Sequence, residues 1–198
     1  KEIVMVVPPE RHSGSVAPIT LATAGMLGIE EVYTLGGAQA IAALAYGTES
    51  IPAVDKIYGP GNLFVTLAKR RVFGTVGIDG LAGPTETLII ADETGIPEWI
   101  AADLLAQAEH DVLASAILLT PSSEVAEKVQ FEVEKQLKTL PRSEILSESL
   151  ANRSGIVLTR DLAQAIDLAN EYAPEHLCLS VSDALKMSER ITSAGGIC

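Results

Sequence analysis

Short apolar runs alternate along this chain with longer stretches in which apolar residues recur every three or four positions. Residues 31–35 and 87–91 are runs of the first kind, which predicts buried strands. Residues 17–27 are a stretch of the second kind, which predicts a helix, and the alanine-rich residues 38–46 predict another. Because strands that alternate with helices build βαβ units, the pattern predicts an α/β fold with mostly parallel sheets and helices on both faces.

Glycine and proline divide this pattern into a definite order of elements. The first half predicts strands at residues 2–7, 31–35 and 54–58 and helices at residues 17–27, 38–46 and 63–72. The second half predicts strands at residues 87–91, 115–120 and 156–159 and helices at residues 97–110, 122–139 and 162–171. The polar, serine-rich residues 140–153 are interpreted as a surface connection.

A glycine-rich, irregular stretch at residues 74–84 separates the two halves. It predicts a boundary between two lobes, residues 1–83 and residues 84–198. Each lobe has the order of strands and helices that is typical of a doubly wound, Rossmann-like unit. The lobes resemble each other only in this order, which does not establish a duplication.

Composition and charge narrow the range of partners. The 198 residues include 14 basic and 26 acidic side chains, which give a formal net charge of −12. Because such a surface repels phosphate backbones and anionic lipids, we expect no nucleic-acid partner. No apolar run approaches the roughly 20 residues that span a bilayer, so we expect no membrane contact. The two cysteines form no CxxC motif, which indicates a reducing compartment, the cytoplasm or, in a plant, a plastid.

Two strand-to-helix turns carry glycine at positions suited to a cofactor phosphate. These turns are Gly36-Gly37-Ala38-Gln39 and Gly59-Pro60-Gly61-Asn62. Glycine lets a ligand approach the backbone closely, and the N-terminus of a helix offers free N–H groups to a phosphate. Neither turn has the GxGxxG fingerprint, so turn geometry explains the glycines as well as dinucleotide binding does.

Polar side chains of the second lobe form two further candidate sites. Asp103, Gln107 and His110 recur at helical spacing, which predicts one shared face on the helix that begins at residue 97. Because a neutral amide is a poor zinc ligand, this spacing alone favours a capping or solvated histidine over a metal site. Glu175 and His176 follow a proline turn, where they form either a proton-transfer pair or an ordinary surface pair.

Cys178 is flanked by Leu177 and Leu179 in a strand-like run. A cysteine in such a run is usually a small buried hydrophobe and not a thiolate. This placement argues against an aldehyde dehydrogenase that works through a thiol nucleophile.

Six segments together resemble those of a known protein family, although none of them is specific enough by itself. They are residues 36–49 (GGAQAIAALAYGTE), 54–62 (VDKIYGPGN), 82–86 (AGPTE), 104–110 (LLAQAEH), 172–177 (YAPEHL) and 191–195 (ITSAG). Taken together, and in this order across nearly the whole chain, they closely resemble the histidinol dehydrogenase family. The resemblance implies an enzyme that oxidises L-histidinol through an aldehyde to L-histidine, with two NAD used in succession.

The resemblance also implies roles for individual residues. Gln39 and Asn62 match positions that contact NAD, and both lie in the glycine turns described above. Thr85 matches a position that contacts the substrate and is often serine in the family. A threonine keeps the hydroxyl group that such a contact requires.

In the second lobe the resemblance assigns a metal site and a catalytic pair. Gln107 and His110 match two protein ligands of a zinc ion that holds the substrate, so both also belong to the substrate site. His176, also in contact with the substrate, matches the group that removes the alcohol proton. Glu175 matches the group that activates the water added to the aldehyde.

The resemblance finally implies an internal piece of a longer protein that lacks segments at both ends, so that both lobes are incomplete. The family's other zinc ligands, an Asp and a His, and a further Glu and His near the substrate lie beyond Cys198, some of them on the partner subunit of a homodimer. We therefore expect weak or no zinc binding and no turnover by the 198 residues alone. Two alternatives stay open, a related NAD-dependent amino-alcohol dehydrogenase and a non-catalytic binding or assembly module.

Overall fold

The computed structural model describes residues 2–10 and 12–198, so Lys1 and Arg11 lie outside the description. Helices and strands alternate along most of these residues, and the strand pairs are parallel. The predicted α/β fold with parallel sheets is therefore confirmed. The chain divides into two compact units, Lys1–Gly83 and Pro84–Cys198, which are called here the first unit and the second unit.

The first unit contains two small parallel sheets. Its elements are β1 (Val4–Val7), α1 (Pro18–Met26), β2 (Glu31–Thr34), α2 (Gly37–Tyr46), β3 (Lys56–Ile57), α3 (Leu63–Val72) and β4 (Gly77–Ile78). Strand β1 pairs with β2, and β3 pairs with β4. The core is formed by apolar side chains of α2, β3 and α3, among them Ile41, Leu44, Ile57 and Val72. Strand β4 lies in the stretch 74–84, which the sequence pattern left irregular because only two residues pair.

The second unit is built on one five-stranded parallel sheet. Its elements are β5 (Glu86–Ala91), α4 (Pro97–Ala108), β6 (Ser115–Thr120), α5 (Ser123–Leu137), α6 (Ser143–Arg153), β7 (Gly155–Leu158), α7 (Leu162–Tyr172), β8 (His176–Ser180), α8 (Ala184–Ser188) and β9 (Gly196–Ile197). The strand order is β7-β6-β5-β8-β9. The central strand β5 is apolar on both faces because helices cover both sides of a parallel sheet.

Side chains of β5 alternate between two hydrophobic clusters. Ile89 and Ala91 face the cluster that includes α4 and α5. Leu88 and Ile90 face the cluster that includes α7. This alternation follows from the two-residue period of a strand, and it lets β5 contribute to the packing on both sides of the sheet.

Three helices of the second unit begin at residues that favour helix starts. Pro97 opens α4, where the missing N–H costs nothing because the first turn has no intrahelical acceptor for it. Ser122 Oγ accepts a hydrogen bond from Val125 N before α5, and Asp161 Oδ1 accepts one from Gln164 N before α7. These signals account for the agreement between predicted and observed helix starts.

The interpretation of residues 140–153 as a surface connection was wrong, because this segment contains helix α6. The side chain of Leu146 is fully buried, which contributes about 2 kcal/mol. Ser149 is also buried, and its hydroxyl donates a hydrogen bond to Ala114 O at 2.9 Å. The helix was missed because its serines and charges leave only a weak apolar stripe. Tertiary burial, and not local pattern, stabilises it.

A separate finding concerns helix length and hydropathy. Within residues 2–10 and 12–198, no helix is both long enough and apolar enough to cross a membrane.

Candidate functional site

The candidate residues of the second unit lie at one edge of its sheet. Because all five strands run in the same direction, their amino ends meet along one side, called here the amino edge. Thr85 immediately precedes β5, His110 lies in the connection before β6, and Glu175 and His176 stand at the start of β8. Helix α4 runs back from the far end of β5, so its last turn, with Gln107, returns to the amino edge.

Gln107 has a buried side-chain oxygen at the amino edge. The side chain is half-buried, and its Oε1 has no hydrogen-bond partner among the described residues. A buried acceptor left unpaired costs about 1–3 kcal/mol. A bound cation or a ligand donor would remove this cost.

The predicted helical face of Asp103, Gln107 and His110 requires a correction. Helix α4 ends at Ala108, and His110 lies in the turn that follows, with its N–H donating to Gln107 O at 3.2 Å. The imidazole is exposed at the amino edge. Asp103 instead accepts a long hydrogen bond, 3.9 Å, from Cys178 Sγ of β8. The helix end therefore separates His110 from the helical register, because the chain must turn there to enter β6.

Glu175 and His176 are held by a rigid backbone. Ala173 ends α7 in the left-handed conformation, with φ 54°, and a proline follows it. Gly196 N donates to Glu175 O at 2.9 Å. A Cβ on Gly195 would come within 2.6 Å of the same oxygen, so only glycine fits there. Glu175 Oε1 lies 3.8 Å from His176 Nε2, and both side chains are about half exposed, which leaves them accessible to a substrate.

Thr87 is a neighbour of His176 that the sequence analysis missed. The two residues are directly paired in the register of β5 and β8. Strand alternation places Thr87 on the same face as Ile89, which α4 covers. Its hydroxyl is buried and has no hydrogen-bond partner among the described residues. The available signal was a polar residue at the start of the otherwise apolar run 87–91.

Thr85 contributes both backbone and side chain at the amino edge. Its carbonyl oxygen accepts a hydrogen bond from Ser115 N at 3.0 Å, which aligns the entries of β5 and β6. The half-buried side chain leaves its hydroxyl next to the start of β5.

The first glycine turn of the first unit leads into α2. Gly36 caps the helix, and a Cβ there would lie 2.6 Å from Pro8 Cβ, so the turn packs closely against the end of β1. Gly37 has a positive φ of 70°, which glycine adopts without strain. Gln39, in the first turn of α2, is exposed. Its amide is therefore free to reach a ligand at this helix N-terminus.

The second glycine turn leads into α3. Asn62 Oδ1 caps this helix by accepting a hydrogen bond from Val65 N at 3.2 Å, so its amide nitrogen remains available to a ligand. A Cβ on Gly61 would lie 2.5 Å from Val65 Cβ, which excludes any larger residue. Gly59 has φ 124° and open space where a Cβ would stand.

The surroundings of Cys178 disfavour the thiolate form of its side chain. Burial raises the pKa of its thiol to about 12, with further contributions from Cys198 and Asp103. A thiol with this pKa is protonated at neutral pH, and only the thiolate attacks a carbonyl. The argument against a thiol-dependent aldehyde dehydrogenase thus gains a physical basis.

The family model described as histidinol dehydrogenase matches residues 1–198. The chain belongs to the histidinol dehydrogenase family. The family member from Bacillus cereus is 55% identical over 197 residues, which cover 100% of this chain and 46% of that protein. The one from Synechococcus sp. is 54% identical over 196 residues, which cover 99% and 45%. The chain thus spans about half the length of the curated histidinol dehydrogenases that it matches.

A solved structure of the same family agrees with this assignment. The crystal structure of histidinol dehydrogenase from Elizabethkingia anophelis matches with a TM-score of 0.92 and 44% identity, over 100% of this chain and 45% of that chain. A propionaldehyde dehydrogenase from Rhodopseudomonas palustris, with bound propionyl-CoA, matches with a TM-score of 0.53 and 16% identity over 89% of this chain. That second likeness concerns the fold alone.

Proposed function

We propose that the protein containing this chain is a cytoplasmic, zinc- and NAD-dependent enzyme that oxidises L-histidinol to L-histidine in histidine biosynthesis. Membership of the histidinol dehydrogenase family supports the substrate and the reaction. The observation that carries the proposal is the buried Oε1 of Gln107, which has no hydrogen-bond partner in the described part of the chain and lies at the amino edge with Glu175 and His176. This edge combines an oxygen ligand, an imidazole and an accessible carboxylate, which are the groups that the reaction requires.

Gln107 and His110 are the proposed zinc ligands of this chain. The buried side-chain oxygen of Gln107 and the exposed imidazole of His110 fit this role. Zinc, when bound, would act as a Lewis acid that holds and orients the amino alcohol. Within residues 2–10 and 12–198 no group of three or more His, Cys, Asp or Glu side chains could hold a metal. The proposal therefore includes further ligands from outside these residues, some of them from the partner subunit of a homodimer.

His176 and Glu175 are the proposed proton-transfer groups. We expect Nε2 of His176 to take the proton of the substrate hydroxyl during oxidation of the alcohol. Glu175 would then accept a proton from the water that adds to the aldehyde. The separation of 3.8 Å leaves the two groups free to act on different atoms in successive steps. Thr85 is proposed to orient the substrate through its hydroxyl group.

Gln39 and Asn62 are the proposed NAD contacts. Both follow glycine turns at helix N-termini, where backbone N–H groups favour a phosphate. The exposed amide of Gln39 and the free Nδ2 of Asn62 supply polar contacts at these turns. NAD, when bound, would accept the hydride. On this proposal the first unit serves the nucleotide, and the second unit serves zinc and substrate.

The test uses the natural polypeptide that contains this sequence. Production of NADH from L-histidinol is followed with a zinc chelator and after zinc is restored. Oxidation of an alcohol to a carboxylate releases two hydride equivalents, so we expect about two NADH per histidinol and loss of activity with the chelator. Gln107→Ala and His110→Ala should mimic the chelator, whereas Gln130→Ala, on an exposed part of α5, should not.

Other outcomes would identify the alternatives. NADH production from a different amino alcohol, but not from L-histidinol, would indicate a related dehydrogenase. A protein that binds neither zinc nor NAD would contradict the enzymatic proposal and favour a non-catalytic binding or assembly module.

A further inference from the structure

Both backbone polar groups of Gly59 are held by one ion pair. Gly59 N donates to Asp79 Oδ2 at 2.8 Å, and Gly59 O accepts a hydrogen bond from Lys69 Nζ. Lys69 Nζ lies 2.6 Å from Asp79 Oδ1. The peptide groups on each side of Gly59 therefore have their orientations set by two charged side chains that are distant in sequence.

The pair joins three segments of the first unit. Lys69 belongs to α3, Gly59 begins the turn after β3, and Asp79 follows β4. Asp79 N also donates to Ile57 O at 3.1 Å, which aligns the ends of β3 and β4. Lys69 itself is only 4% exposed. An apolar side chain would fill the same space without the cost of removing an ammonium group from water, so packing alone does not explain a lysine there.

The fixed turn has one side open to solvent and one side backed by protein. The Val65 side chain packs against Gly61, whereas no atom of residues 2–10 or 12–198 beyond the adjacent ones lies within 4 Å of the position where a Gly59 side chain would begin. Gly59 has φ 124°, which is only one of the many backbone conformations that an unrestrained glycine can adopt. Holding the turn in this one conformation before a ligand arrives lowers the conformational cost of binding.

We propose that Lys69 and Asp79 are positioning residues that pre-organise the turn Gly59–Asn62 for the nucleotide, and that they set its affinity. The inference rests on the proposed function, because it takes NAD as the ligand of this turn. The pair touches the turn backbone and not the reacting atoms. Its loss should therefore weaken NAD binding without slowing the chemical step at saturating NAD.

The experiment compares the natural polypeptide with the double variant Lys69→Met/Asp79→Asn. Changing both partners avoids an unpaired buried charge, which would threaten folding. We expect the dissociation constant and the KM for NAD to rise about tenfold or more, with kcat and the KM for L-histidinol within about twofold of the unaltered protein. The separate variant Lys69→Arg, which keeps the positive charge and the hydrogen-bond donors, should retain most of the affinity for NAD. The exposed pair Glu124–Lys128 of α5 supplies the control, Glu124→Gln/Lys128→Met, which should change none of these constants.

If the double variant does not fold, Lys69→Met alone provides the test, because it removes the buried charge and the hydrogen bond to Gly59 O, while the remaining carboxylate of Asp79 is partly exposed to water. Unchanged NAD affinity in a folded variant would overturn the positioning role while leaving the proposed function intact. Equal losses of kcat and NAD affinity would also overturn it, since they indicate general damage to the fold. Absence of NAD binding by the unaltered protein would overturn the proposed function and the positioning role together.

Discussion

Glu175 Oε1 lies 3.8 Å from His176 Nε2 at the start of β8, beyond hydrogen-bond distance and with both side chains about half exposed. Neither side chain is therefore held by a hydrogen bond to the other. The backbone around them is rigid, because the N–H of Gly196 holds the carbonyl of Glu175. This combination of a fixed backbone and free side-chain atoms suits two groups that act in succession on one substrate.

Separate variants should distinguish the roles of this pair. We expect His176→Asn to lower kcat about 10²- to 10⁴-fold, because the alcohol proton loses its acceptor. Glu175→Gln should slow mainly the addition of water, so early turnovers should yield about one NADH per histidinol and free aldehyde. NADH and an aldehyde-trapping reagent measure the two products. Glu171→Gln, an exposed change on α7, is the control. Equal yields of NADH per histidinol in both variants would contradict the division of roles.

The substitution Gln107→Leu should affect the stability of the zinc-free protein and of the zinc-loaded protein differently. In zinc-free protein, Gln107→Leu removes a buried oxygen without a partner, so we expect no loss of stability or a gain of about 1–3 kcal/mol. In zinc-loaded protein the same change removes a ligand, so zinc content and stability should both fall. Urea unfolding with and without a chelator, together with metal analysis, measures both effects. A loss of stability of the same size in both forms would argue against a ligand role.

The carboxylate of Asp79 should account for part of the decrease in the unfolding free energy at acid pH. The hydrogen bond from Lys69 lowers the pKa of Asp79 from 3.8 to about 2, assisted by the N–H groups of Gly59 and Gly80 and opposed by burial. Since the folded-state pKa is the lower one, the stabilisation is complete above pH 3.8 and is lost as the pH falls through about 2. Asp79→Asn should therefore flatten the dependence of the unfolding free energy on pH in this window. An unchanged slope would show that the carboxylate is not held in solution as described.

Cys178 should resist alkylation in the folded protein. Burial raises the pKa of its thiol to about 12, so almost no thiolate exists near neutral pH. We expect iodoacetamide to label Cys178 only after denaturation, as followed by peptide mass spectrometry. Cys178→Ala should retain NADH production from L-histidinol. Rapid labelling of the native protein together with an inactive Cys178→Ala variant would instead favour a thiol-dependent mechanism.

Predicted and observed elements agree best where neighbouring residues alone determine the structure. Strand β6 occupies residues 115–120 as the apolar run predicted, and α2 ends before Gly47, whose positive φ of 76° suits a glycine. The agreement fails for α6, whose helix depends on the burial of Leu146 against other elements. It also fails for His110, which the helical spacing placed on α4 and which the structure places in the following turn.

The sequence by itself determined the alternation of strands and helices, the glycine turns before α2 and α3, and the family, because periodicity, turn chemistry and joint motifs are properties of neighbouring residues. Only the tertiary structure decided which residues meet. The strand order β7-β6-β5-β8-β9 places Thr87 opposite His176, and the fold of the first unit brings Lys69 of α3 to Asp79, which follows β4. The physical reason is that strand order and register are set by burial and hydrogen bonding between segments far apart in the chain, which local spacing does not record.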